Sequence, residues 1–81
     1  MDRDTILAVI VGQIREVVPE LADRPITESE SMAELGLDSI ERSEIIMNTL
    51  EAIGLDLPMV QMHGPKNLGE LADLLHAKRH A

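Results

Sequence analysis

The sequence predicts a small all-α protein: a four-helix bundle of three longer helices and one short one, with a long first loop. Three observations carry that expectation. Apolar residues recur at three- and four-residue steps in three separate stretches. Each stretch opens on a side chain suited to capping a helix. Eighty-one residues make one domain, 1–81, with a core only just large enough to fold without staples.

The first helix is expected from about Thr5 to Val18. Ile6, Ile10, Ile14 and Val17 mark its apolar face, Asp4 its cap, and Pro19 its stop. Periodicity then disappears between Pro19 and Asp38, where Leu21, Ile26, Met32 and Leu35 are spaced apolar anchors in a long ordered loop. A loop of this length inside a compact domain tends to be functional or to hide a short helical turn. The second helix starts at Ser39, with Asp38 as N-cap and Glu41 three residues later, the spacing of a capping box. Its buried face is expected at Ile46, Leu50 and Ile53, with Ile45 and Thr49 at the edge and Gly54 closing it. Met59, Val60 and Met62 suit one short turn before Gly64-Pro65. The last helix pairs Asn67 with Glu70, buries Leu68, Leu71, Leu74 and Leu75, and ends in Lys78 and Arg79.

Composition excludes much. Without cysteine there is no disulfide, thiolate metal site or cysteine nucleophile. Fifteen acidic against seven basic residues give a formal charge of −8, which opposes nucleic acid and favours partners with basic surfaces. No Phe, Tyr or Trp is present, so stacking on bases or sugars is out. Asp2, Arg3 and Asp4 break any leader-like apolar start, and no run is long enough for a membrane span. A soluble, cytoplasmic monomer is expected. His63, His76 and His80 lack a carboxylate pattern for ligation, so no metal is expected.

Leu35-Gly36-Leu37-Asp38-Ser39-Ile40-Glu41 is the informative stretch. A serine at the first position of a helix projects its hydroxyl from the positive end, beside backbone N–H groups, where a phosphoryl group is stabilised. Gly36 lets the chain turn sharply into the helix. Ile40, Glu44, Met47 and Glu51 fall on one strip that starts beside Ser39, mixing apolar and acidic residues. Six acidic residues and one cation, Arg42, lie between Glu28 and Glu44. Taken alone, Ser39 is as well explained as a cap, the strip as a solvated face, and Met47, Met59 and Met62 as core filling.

The string LGLDSIERSEI, in this helix order, resembles the signature of the acyl carrier proteins over nearly the whole chain. The resemblance implies that Ser39 takes a phosphopantetheine arm from coenzyme A, delivered by a phosphopantetheinyl transferase. Asp38 would help that transferase, and Ile40 would dock on partner enzymes. Asp38, Ile40, Glu41, Arg42, Glu44, Met47 and Glu51 would form the recognition face. The chain would be no enzyme, but a free-standing carrier of acyl groups as thioesters.

Arg42 and Ser43 depart from the commoner family pattern. SIERSEI and LPMVQMHGPKNLGELADLL look more like the discrete donor carriers of polyketide β-branching cassettes. Such a donor presents a malonyl-derived acetyl group to a hydroxymethylglutaryl-synthase-like enzyme, alongside an acyltransferase and a ketosynthase-like decarboxylase. A generic polyketide or fatty-acid carrier is the alternative. A different class is an acidic helical adaptor in which Ser39 only caps, and a third is a small hydrolase using Ser39.

Overall fold

Helix α1, Arg3–Val17, is the centre of the molecule and packs along both of the other long helices. The computed structural model describes residues 1–80, and the side chains of all of these except Met59 and His63. After α1 come a 3₁₀ turn at Pro19–Leu21, helix α2 at Ser39–Ile53, a 3₁₀ segment at Met59–His63, and helix α3 at Leu68–Arg79. The expected fourth helix is thus a 3₁₀ segment. The long loop opens on the other 3₁₀ turn, Pro19–Leu21. Roles expected of Met59 and His63 lie outside the described side chains.

Ile6, Ile10 and Ile14 of α1 are fully buried. Each contributes about 1.5–3 kcal/mol relative to an exposed side chain. Around them close Ile45, Leu50 and Ile53 from α2, and Leu68, Leu71, Ala72 and Leu75 from α3. Met32 and Leu37 of the loop and Met62 of the 3₁₀ segment complete the core.

Three details differ from the sequence reading. Asp2, not Asp4, caps α1: its backbone is extended, so its carboxylate accepts from the Thr5 N–H at 2.7 Å. Ile45 and Thr49 are core, whereas Ile46 is half-buried. The reason is that α2 lies against α1 and much less against α3. Residues 45, 49 and 53 face α1, and Ile46 turns towards the gap. Leu74 is likewise only half-buried. At the far end of α2 the chain closes as expected, with the Leu55 N–H donating to Leu50 O at 2.9 Å beyond Gly54.

The long loop is bonded along its length. The Leu68 N–H donates to Glu30 O at 3.0 Å, and the Gly69 N–H to Glu28 O at 2.9 Å, so the loop satisfies amides that α3 leaves unpaired at its start. Arg3 ties three elements together, reaching Glu28 at 2.6 Å in the loop and Asp73 at 2.6 Å in α3. Residue 69 passes close under this junction, and any side chain there displaces the ends of Arg3 and Glu28. A Cβ would stand 2.8 Å from Arg3 Nη2 and 2.9 Å from Glu28 Oε1.

Within the loop, Thr27 and Glu30 bond reciprocally, with the Thr27 N–H donating to Glu30 Oε1 at 2.9 Å and the Glu30 N–H to Thr27 O at 3.2 Å. Ser31 and Glu34 make a true reciprocal cap, with the Glu34 N–H on Ser31 Oγ at 3.1 Å and the Ser31 N–H on Glu34 Oε1 at 2.9 Å. The single turn they cap ends at Gly36, whose φ of 81° is the left-handed conformation. The Leu37 N–H then returns to Met32 O at 3.1 Å.

Glu30 accepts from Arg24 at 2.6 Å. That guanidinium first, and the Thr27 N–H second, pull its carboxyl from the ordinary 4.5 down to about 2. A carboxyl held below its unfolded value adds stability that is complete above the unfolded value and disappears as pH falls through the folded one. The melting temperature of Glu30→Gln should therefore lie below wild type at pH 7, and the gap should close as pH drops from 4.5 towards 2. A gap that stays constant across that range contradicts the pairing.

Thr49 is 1 % exposed, and among the described residues its hydroxyl has no hydrogen-bond partner. A buried unpaired hydroxyl is destabilising. Thr49→Val should raise stability by about 1 kcal/mol in urea unfolding. A loss of stability would mean that the hydroxyl finds a partner in solution.

Candidate carrier site at the start of helix α2

Ser39 is the first residue of α2 and is exposed. Leu37, two residues earlier, is 4 % exposed and anchors the approach in the core. Asp38, between them, forms the expected capping box with Glu41. The Glu41 N–H donates to Asp38 Oδ1 at 2.7 Å, and the Asp38 N–H donates to Glu41 Oε1 at 3.0 Å. The Arg42 N–H closes the first helical bond onto Asp38 O at 2.9 Å. Among the described residues the N–H groups of Ser39 and Ile40 then have no partner. Two free donors flank the Ser39 hydroxyl, at the positive end of the helix dipole.

Such a position suits a phosphodiester. Its oxygens would accept from these two N–H groups, and the exposed Ser39 is open to an approaching enzyme. Asp38 and Glu41 complicate this only mildly, since their carboxylates are turned to backbone N–H groups. No helix among the described residues is long and apolar enough to cross a membrane. Among the same residues no cluster could hold a metal ion.

The structure divides the expected recognition residues into groups. Ile40 and Met47 are 77 % and 59 % exposed, unusual for large apolar side chains. With Ser39, Ser43, Glu44 and Asn48 they line a shallow groove of about 450 Å³ along the open side of α2. Glu51 lies a turn beyond it. Asp38 and Glu41 are occupied in the cap. Arg42 belongs elsewhere, to a cleft of about 400 Å³ between α2, the loop at Ser31–Ala33 and the start of α3. Sequence reasoning missed Ser43 and Asn48 as groove residues. Both follow from Ile40 by helical spacing, but neither is apolar or acidic. It also missed Val60, a further exposed apolar side chain at 72 %.

The acidic run reads differently as well. Five of its six members are engaged within the chain: Glu28 with Arg3, Glu30 with Arg24, Glu34 with Ser31, and Asp38 with Glu41. The Arg3 guanidinium also lowers the Glu28 carboxyl below its ordinary value. Glu44 alone among the six is without such a bond in the described structure.

Residues 9–75 match the family model described as the phosphopantetheine attachment site. The chain belongs to the phosphopantetheine-binding acyl carrier proteins. Members of that family are generally non-catalytic, and this carrier holds a phosphopantetheine group covalently. It is 41 % identical over 78 residues to the polyketide biosynthesis acyl carrier protein AcpK of Bacillus subtilis strain 168, covering 96 % of this carrier and 95 % of that one. It also superposes, with a TM-score of 0.92 and 44 % identity, on a chain from the crystal structure of the curacin-pathway HMG synthase in complex with its acetyl-donor carrier. That match covers 96 % of this carrier and all of the other chain. The carrier is thus of the polyketide-biosynthetic kind, with the all-α carrier fold expected from its sequence.

Proposed function

We propose that Ser39 carries the phosphopantetheine arm, and that the carrier donates an acetyl unit derived from malonyl to a hydroxymethylglutaryl-synthase-like enzyme in polyketide β-branching. The observation that carries the reading is the exposed Ser39 hydroxyl at the mouth of α2, between two unbonded N–H groups and at the head of an apolar, acidic-edged groove. The likeness to a carrier bound to an HMG synthase as acetyl donor supports the choice of partner.

The arm supplies a terminal thiol that holds the acyl group as a thioester. The chain's own residues do the rest. The Asp38–Glu41 cap fixes where the serine stands. Ile40 and Met47 offer apolar area for docking, and Glu44 and Glu51 give a negative edge that suits a basic enzyme surface. A phosphopantetheinyl transferase loads the arm, and an acyltransferase and ketosynthase-like decarboxylase prepare the acetyl group. The carrier itself is no enzyme. We place it in the cytoplasm as a monomer.

Incubation with coenzyme A and a permissive transferase should raise the intact mass by one phosphopantetheinyl adduct, with 3′,5′-ADP leaving, and Ser39→Ala should abolish the gain. An unmodified wild type would leave the adaptor reading, with Ser39 only a cap. The acetyl-loaded carrier should then serve a cassette synthase at least tenfold better than a generic acyl carrier does. Met47→Glu should lose about tenfold of that transfer, or about 1.4 kcal/mol of docking. Equal use of generic carriers would overturn the donor assignment.

A further inference from the structure

The cleft beside α2 carries a charge pattern at odds with the rest of the molecule. Its floor is apolar, made by the buried Met32, Met62, Leu68 and Leu71 with the half-buried Ile46. Its exposed edge holds two cations, Arg42 and Lys66, in a chain whose formal charge is −8. Among the described residues neither has a carboxylate partner, a state shared with Arg15, Lys78 and Arg79 but not with Arg3 and Arg24, which are paired with acids. Among the described residues the Arg42 side chain makes a single, long bond of 3.4 Å, to Asp38 O. Two uncompensated cations over an apolar floor fit a small group with an apolar body and an anionic end.

The position of the cleft says which group. Arg42 lies three residues after Ser39, a rise of about 4.5 Å along the helix. Anything tethered on Ser39 would meet the cleft at high effective concentration. The phosphodiester of the arm sits at the tether itself, where the Ser39 and Ile40 N–H groups are free to serve it, so the cleft is left for the far end. An acetyl group has no charge to place there.

We propose that this cleft receives the carboxylate end of a short carboxylated acyl thioester, of the malonyl class, carried on Ser39, with Arg42 and Lys66 as its specificity residues. The inference rests on the carrier reading above. The cleft holds the carboxylated acyl group back against the chain until an enzyme draws it out. Once the carboxylate is lost, the cations no longer retain the product, and the acyl end swings free towards the docking groove. Retention and release then follow from the charge of the cargo alone.

The test compares ¹⁵N spectra of the chain as apo-protein, with the bare arm, with an acetylated arm and with a malonylated arm, each loading verified by intact mass. The Arg42 Nε–H signal and the amides of residues 66–71 should shift on malonylation and stay near their apo positions with the other two arms. Lys66→Gln and Arg42→Gln should each reduce the malonyl-dependent shifts by half or more. Equal shifts with acetyl would mean a purely apolar guest site. Equal shifts with the bare arm would mean a phosphodiester site. No shift in any state would mean an unused cleft. Each of these three overturns the proposal while leaving the carrier intact, whereas failure of wild type to load removes the carrier reading itself.

Discussion

The reciprocal bonds between Asp38 and Glu41 decide where α2 begins, and the site depends on that boundary. If the helix started a residue earlier or later, Ser39 would leave the mouth of the dipole and Ile40 would rotate about 100° off the open side. The cap is itself held from behind. Leu37 is buried, Gly36 takes the left-handed turn, and the Ser31–Glu34 pair fixes the helical turn before it. An exposed hydroxyl is thus positioned by a chain of local bonds ending in the core.

Helix α2 has three working sides because, among the described elements, it packs chiefly against α1. Ile45, Thr49 and Ile53 meet α1. Ile40, Ser43, Glu44 and Met47 face solvent as an open groove. Arg42 and Ile46 face the gap before α3. A tighter bundle, with α2 also pressed along α3, would have closed that gap and left only the outer groove. Keeping α3 at a distance falls partly to the long loop, which lies against the start of α3 through Glu28 and Glu30, with Arg3 clamping the junction and Gly69 giving it room.

Much of this was legible in the residues. The three long helices, the Asp38 cap, the Gly54 stop and the Ser39 position all came from short-range rules, because capping and periodicity act over three or four residues. Misreadings arose where packing partners decided the outcome. Ile45 and Ile46 are adjacent and alike, so only the placement of α1 could separate core from cleft. Arg42 lies three residues after Ser39, yet helical rotation turns it to the cleft rather than to the groove. Most of the acidic run is bound within the chain, and Thr27-x-x-Glu30 and Ser31-x-x-Glu34 repeat the spacing recognised at Asp38-x-x-Glu41. Those two pairs could have been found from the sequence. The bonds from Glu28 to Arg3 and from Arg3 to Asp73 could not, since they join residues 25 and 70 positions apart.

The most direct measurement of the central claim is fragmentation mass spectrometry of the loaded wild-type chain, mapping the phosphopantetheinyl adduct to a single side chain. Four serines compete for it, at positions 29, 31, 39 and 43. The account predicts that the adduct resides wholly on Ser39, the one serine placed between unbonded amides at a helix mouth. An adduct on Ser43, one turn further on, or on Ser31, whose hydroxyl already caps a turn, would contradict it.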